Sequence, residues 1–136
     1  YALLKGLELN AKAILAVPCC QHEFNDKISA SKKSDFFTFQ LPIGKHGILL
    51  EKYATIATDA FRAQALELCG YRTQVMEFID MEHTPKNILI RAVRQGKKRD
   101  NGLQIRELAD FLHVKPAVVE LLAPELWESG GKTKDS

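Results

Sequence analysis

Ala13-Ile14-Leu15-Ala16-Val17 is an unbroken apolar run, halted by Pro18. A strand built from it has no polar alternation, so it must be covered on both faces, as strands are in the parallel sheets of α/β proteins. That requirement fixes the expected fold class. The flanking patterns agree with it. Leu3, Leu4 and Leu7 lie on one helical face, and Asn10 is placed to stop that helix in the left-handed region. From Ile48 to Cys69, Leu49, Tyr53, Ile56, Ala60 and Ala63 recur at three- and four-residue intervals, and Gly70 sits where such a helix ends. Tyr71 to Asp80 reads as a second strand and Ile88 to Val93 as a third. Between the first strand and the long helix, residues 25–47 form a polar excursion with room for one short helix; its aromatic patch is Phe36, Phe37 and Phe39. Excursions of that length are uncommon and usually functional or mobile.

The expected order is helix, strand, long loop, helix, strand, strand, helices. A strand–helix–strand crossover makes the first two strands parallel, and the short connection 81–87 makes the third antiparallel. The expectation is half of an open sheet, with helices on both sides and the first strand inside a wider sheet whose next strand is missing. Residues 1–94 form this part, 95–102 a basic linker, 103–128 a small helical extension and 129–136 a disordered tail. The chain opens on Tyr1, within the first helical segment, so it reads as a fragment. At 136 residues it has room for one ordinary domain, and its composition, 46% hydrophobic and 26% charged, excludes a disordered chain.

In open α/β sheets ligands bind outside the carboxyl ends of parallel strands. Two segments leave such ends: Pro18-Cys19-Cys20-Gln21-His22-Glu23 after the first strand, and Asp80-Met81-Glu82-His83-Thr84-Pro85-Lys86-Asn87 after the second. Two loops dense in Cys, His, Glu, Lys and Asn then face one cleft. A Cys–His nucleophile from Cys19 or Cys20 with His22 or His83 fits those residue types, though no orienting third group is identifiable. Cys19, Cys20 and His22 also offer zinc ligands, but adjacent cysteines lack the spacing of structural sites, and no metal is expected. The plain alternative is a cysteine packed as a small apolar side chain beside a loop histidine. That reading also suits Cys69, and for His46 and His113 a solvated or packed position is the default.

The string Ala13-Ile14-Leu15-Ala16-Val17-Pro18-Cys19-Cys20-Gln21-His22-Glu23, followed by a closing crossover and a strand hairpin, resembles the second half of a class I S-adenosylmethionine-dependent methyltransferase. It is similar to the branch with a Pro-Cys-Cys or Cys-Cys-His-His stretch: uncharacterised bacterial methyltransferases, methyltransferase-like proteins and tRNA 2′-O-methyltransferases. Glu82-His83-Thr84-Pro85-Lys86-Asn87-Ile88-Leu89-Ile90-Arg91 resembles the bacterial members, and the likeness covers residues 1–94. It implies a Rossmann-like sheet whose fifth, sixth and seventh strands lie in this chain: two parallel strands and a final antiparallel one. It implies S-adenosyl-L-methionine as cofactor, with the glycine-rich turn and the ribose-binding acid upstream of Tyr1. The chain by itself would then bind cofactor poorly or not at all, and the missing N-terminal half of the domain is its first partner. Under this likeness His22 or Glu23 accepts the acceptor's proton. Cys19, Cys20 and Gln21 shape the acceptor pocket, and Glu82, His83, Lys86 and Asn87 hold the acceptor. Turn geometry is an equal reading for Glu82 and Asn87.

Net charge is only +2, so the whole molecule does not announce a nucleic-acid partner. A local strip of Arg91, Arg94, Lys97, Lys98, Arg99 and Arg106, with Asp100 and Glu107 as nearby acids, could follow a phosphate backbone through Lys97, Lys98 and Arg99. The tRNA-modifying proteins that the chain resembles point the same way, but a solvated linker is the stronger reading for so short a run. Lys32 and Lys33 with the phenylalanines at 36, 37 and 39 could cap stacked bases or anchor the excursion. The helical extension could bind nucleic acid, cover the sheet or pair chains into a homo-oligomer. No apolar run approaches the ~18 residues of a membrane span. Three cysteines without disulfide spacing fit a reducing, cytoplasmic setting. Two other function classes stay open: a non-catalytic nucleic-acid or protein interaction module, and a Cys/His-dependent enzyme.

Overall fold

The fold comes from a computed structural model, which describes residues 2–18, 42–78, 87–112 and 114–128. In chain order the described elements are helix α1 (Ala2–Glu8), strand β1 (Ala13–Ala16), a 3-10 turn (Pro42–Lys45), helix α2 (Gly47–Leu68), strands β2 (Tyr71–Phe78) and β3 (Asn87–Arg94), and helices α3 (Gly102–Leu112), α4 (Ala117–Leu122) and α5 (Glu125–Glu128).

Helix α2 organises them. Leu50, Ala54, Ala57, Phe61 and Ala65 share one stripe at the spacing of a helical face, and they pack against Ile105, Ala109 and Leu112 of α3, Val114, and Val119 of α4. The neighbouring stripe, represented by Leu66, meets the sheet at Tyr71, Ile90 and Ala92. The helix stops where the sequence places its stop. Cys69 N–H bonds Ala65 O at 3.1 Å and Gly70 N–H bonds Glu67 O at 3.1 Å, with Gly70 at φ +98°. Asn10 closes α1 at φ +52°, a conformation asparagine tolerates better than most residues.

The sheet has the order β1-β3-β2, and every pairing is antiparallel. Two parallel strands and a final antiparallel one are expected, but no two described strands pair in parallel. The short connection out of β2 folds β3 back beside it as a hairpin. β3 then occupies the position next to β1, with Ile14 opposite Ala92 and Ala16 opposite Ile90. β1 and β2 still run the same way, because each is antiparallel to β3. The coarse class holds: a mixed α/β arrangement with a small three-stranded sheet.

The burial of β1 is a second correction. Ile14 is buried, but Leu15 is 68% exposed and Val17 is also exposed, so among the described residues the apolar run is covered on one face only. Helices are expected on both sides of the sheet, and the described ones lie on one. Pairing places Ile14, Ala92 and Thr73 on one face, and α1 and α2 cover it. On the other, Leu15, Gln74, Met76 and Arg91 are exposed to solvent among the described residues. Gly6 shows how closely α1 lies on the covered face, since a Cβ there would stand 2.7 Å from Ile14 Cδ1.

The basic stretch after β3 is fastened down. Gln95 and Gly96 N–H both donate to Gly70 O, at 2.9 and 3.2 Å, and Arg99 N–H donates to Glu67 O at 3.2 Å. Buried Asn101 donates through Nδ2 to Gln64 O (3.0 Å) and Gln64 Oε1 (2.7 Å), so the chain enters α3 held against α2. Helices α3, α4 and α5 share the α2 core, with Leu126 and Trp127 packed at its margin.

Candidate functional site

The site expected from the sequence lies where β1 and β2 end, and the strand register locates that edge. Ala16 ends β1 opposite Ile90, and Phe78 ends β2 opposite Asn87. Both carboxyl ends therefore point toward the amino end of β3. The chain leaves the described part of the sheet at Pro18 and at Phe78 on this one edge, with a strand of width between the two exits. Such an arrangement follows from two same-sense strands flanking one antiparallel strand.

Of the residues assigned to the site, Asn87 is described as the first residue of β3, opposite Phe78. His22, Glu23, Cys19, Cys20, Gln21, Glu82, His83 and Lys86 lie outside the described residues, as do Lys32, Lys33, Phe36, Phe37, Phe39 and His113. Among the described residues no group of three or more His, Cys, Asp or Glu could hold a metal ion, and no helix is long and apolar enough to cross a membrane. His46 is exposed and precedes the first turn of α2 without a side-chain cap.

The basic strip divides into engaged and available cations. Arg99 donates from Nη1 to Glu67 Oε2 at 3.0 Å, and Glu67, itself buried, also accepts from Thr73 Oγ1 at 2.7 Å. Arg91 donates to Gln74 Oε1 at 2.8 Å across the open face of the sheet. Arg94, Lys97 and Lys98 are exposed and have no ion-pair partner among the described residues. Arg99 is thus the poorest of the three assigned phosphate contacts, because its guanidinium already satisfies a buried carboxylate.

Sequence reasoning missed a cleft at the opposite edge of the sheet, lined by Leu4, Leu7, Cys69, Tyr71, Arg94 and Lys98 among others. The pairing of Tyr71 with Arg94 puts the start of β2 beside the end of β3 there. No single motif announces it, because its walls come from four separate stretches of chain. Cys69 is half-buried in this cleft and donates Sγ–H to Leu122 O at 3.6 Å. Burial pushes its thiol above the usual range, opposed by nearby Lys98 and assisted by Glu125. With Cys19 and Cys20 changed to serine, Cys69 is expected to react with iodoacetamide at pH 8 several-fold more slowly than a free thiol, read by mass spectrometry. The same shift has a sign for stability. The fold favours the neutral thiol, so the stabilisation is complete below the unfolded thiol's pKa and is lost as pH rises through it toward the folded value. Urea midpoints of this variant against its Cys69→Ala derivative, at pH 7 and pH 9.5, test that direction.

Compared with known proteins, the chain matches no family model, no curated protein and no solved structure.

Proposed function

We propose that this chain is the acceptor-side half of an S-adenosylmethionine-dependent methyltransferase domain. The observation that carries the reading is the sheet edge. Same-sense β1 and β2, each antiparallel to β3, start Pro18-Cys19-Cys20-Gln21-His22-Glu23 and the 79–87 connection from a common rim. Closure by a helical crossover and an antiparallel hairpin also supports it, as does the resemblance of both strings to the Pro-Cys-Cys branch. The one-sided burial of β1 adds a further argument. Among the described residues Leu15 and Val17 stay exposed and β1 pairs with β3 alone, so a larger sheet would take up its free edge, and helices packed on that sheet would cover its open face.

The residues of this chain do not fit the cofactor itself. None of the described strands is followed by a glycine-rich turn: β1 runs into Val17-Pro18, and β2 runs out at Phe78. Its chemistry is on the acceptor side. Displacement at a sulfonium methyl needs an oriented nucleophile more than covalent help, and a base where the acceptor carries a proton. His22 or Glu23 takes that proton. Cys19, Cys20 and Gln21 wall the acceptor pocket, and Glu82, His83, Lys86 and Asn87 hold the acceptor. RNA is the acceptor class that the exposed Arg94, Lys97 and Lys98 favour, because clustered cations with no ion-pair partner among the described residues can follow a phosphate backbone.

Thermal shift with S-adenosylhomocysteine separates this reading from a binding module. The protein that joins this chain to the sequence preceding Tyr1 in its gene is expected to gain several degrees, and the chain alone none. A joined protein that gains nothing overturns the reading. For the acceptor, Lys97→Gln with Lys98→Gln is expected to weaken transcribed tRNA binding and to flatten its salt dependence by about two contacts. Unchanged affinity and slope would remove RNA.

A further inference from the structure

The cleft at the amino end of β2 has the makings of a second site. Its volume is about 740 Å³, within the span of small-molecule sites. The apolar lining comes from two helices: Leu4 and Leu7 of α1, and Leu121 and Leu122 of α4. Tyr71 stands at its back, and its hydroxyl donates to Ala11 O at 2.8 Å, which leaves the phenol oxygen free only to accept. Arg94, Gln95 and Lys98 bring the polar groups.

The cationic segment is held in place. Gly70 and Gly96 both adopt left-handed backbone, at φ +98° and +78°, and the Gly70 carbonyl takes the N–H groups of Gln95 and Gly96 together. These two hydrogen bonds to one oxygen pin the turn that follows Arg94 and precedes Lys98. Of the acids near the lining in sequence, Glu8 is bound by Lys5 at 2.8 Å and Glu67 by Arg99 and Thr73, while Asp100 and Glu120 are exposed. Glu125 is within electrostatic reach of Cys69, but the lining itself carries Arg94 and Lys98 and no acidic residue among the described residues. Two cations without ion-pair partners among the described residues, beside four leucines, ask for a ligand with one anionic end and one apolar end. A nucleic-acid backbone would use the charge and waste the leucines, and a neutral hydrocarbon would leave both cations unanswered.

We propose that this cleft binds a small amphipathic anion, its carboxylate or phosphate head at Arg94 and Lys98 and its hydrocarbon body over Leu4, Leu7 and Leu122. A charge-assisted contact to a guanidinium or ammonium group sets the orientation, and burial of the hydrocarbon supplies most of the affinity. The site lies at the edge opposite Pro18 and Phe78, so it needs nothing from the methyl-transfer rim, and it shares with the RNA reading only Arg94 and Lys98.

The test is a nitrogen-15 NMR titration of the chain with decanoate, decyl phosphate and decanol, each below its micelle concentration. Saturable shifts are expected at the amides of Tyr71, Gln95, Gly96 and Leu122, with decanol at least about tenfold weaker than the better anion. Whichever of the two anions binds more tightly names the head group. Arg94→Gln and Lys98→Gln should each weaken the anion several-fold, and Lys5→Gln, outside the cleft, should not. All three residues are exposed, and the dispersion of the same spectra reports whether each variant is folded. Equal binding of decanol, unchanged affinity in both cleft variants, or shifts confined to the open sheet face around Leu15 and Met76 would overturn the proposal.

Discussion

Phe61→Ala is expected to destabilise the chain by about 3–5 kcal/mol, the range for truncating a fully buried phenylalanine. Phe61 is 1% exposed at the centre of α2, in the cluster that joins this helix to Ile105, Leu112 and Val119. The effect is large because α2 serves two cores. Its Phe61 stripe holds the C-terminal helices, and Leu66 on the adjacent stripe holds the sheet. Collapse around the missing ring is limited, since Ala54, Ala57 and Ala65 beside it are already small. Total stabilities of single domains are about 5–15 kcal/mol, so the variant should lose much of its urea midpoint or fail to fold at 37 °C. Ile56→Ala is the internal control. Ile56 lies on the same helix but is 68% exposed, and alanine there should change stability by less than about 0.5 kcal/mol. Equal midpoints for the two variants would show that the α2 stripe does not hold these helices.

That contrast between Phe61 and Ile56 marks how far the sequence could be read. Three- and four-residue spacing identifies α2, and Asn10 and Gly70 identify where helices stop, because those signals are local: a repeat of 3.6 residues and a backbone that must turn left-handed. Strand order is not local. The run Ala13–Val17 states that its side chains are apolar, but not which strand lies alongside or whether a second layer comes from the same chain. The hairpin rule correctly makes β3 antiparallel to β2, yet nothing in Ile88 to Val93 declares that its other edge takes β1. Once β3 is between them, the same-sense relation of β1 and β2 survives while their hydrogen bonding does not. The assigned site was legible only as two strings and the strand ends that launch them. The cleft of Cys69, Tyr71, Arg94 and Lys98 was not legible, because residues from α1, the α2–β2 turn, the end of β3 and α4 meet there only after folding.

The contrast between His22 and the cysteine pair decides which chemistry belongs to the shared rim. On the proposed reading, in a protein that carries this chain with the rest of such a domain, His22→Ala is expected to lower methyl-transfer kcat by about 10²–10⁴, the usual worth of a positioned general base. S-adenosylhomocysteine binding should stay within about twofold, because on that reading the base serves the acceptor and does not hold the cofactor. If Glu23 carries the proton instead, Glu23→Gln shows the loss and His22→Ala does not. Cys19→Ser with Cys20→Ser is expected to change KM more than kcat, as a pocket wall would, since a wall supplies binding common to ground and transition states. A cysteine nucleophile predicts the reverse. The serine pair would then abolish turnover, and iodoacetamide would inactivate the protein in step with alkylation of Cys19 or Cys20. The two chemistries differ in where the new bond forms: on the acceptor bound at the rim, or on a sulfur of the rim itself. A stoichiometric covalent adduct on Cys19 or Cys20 during turnover, seen by intact-mass measurement, would remove direct transfer to the acceptor whatever His22 does.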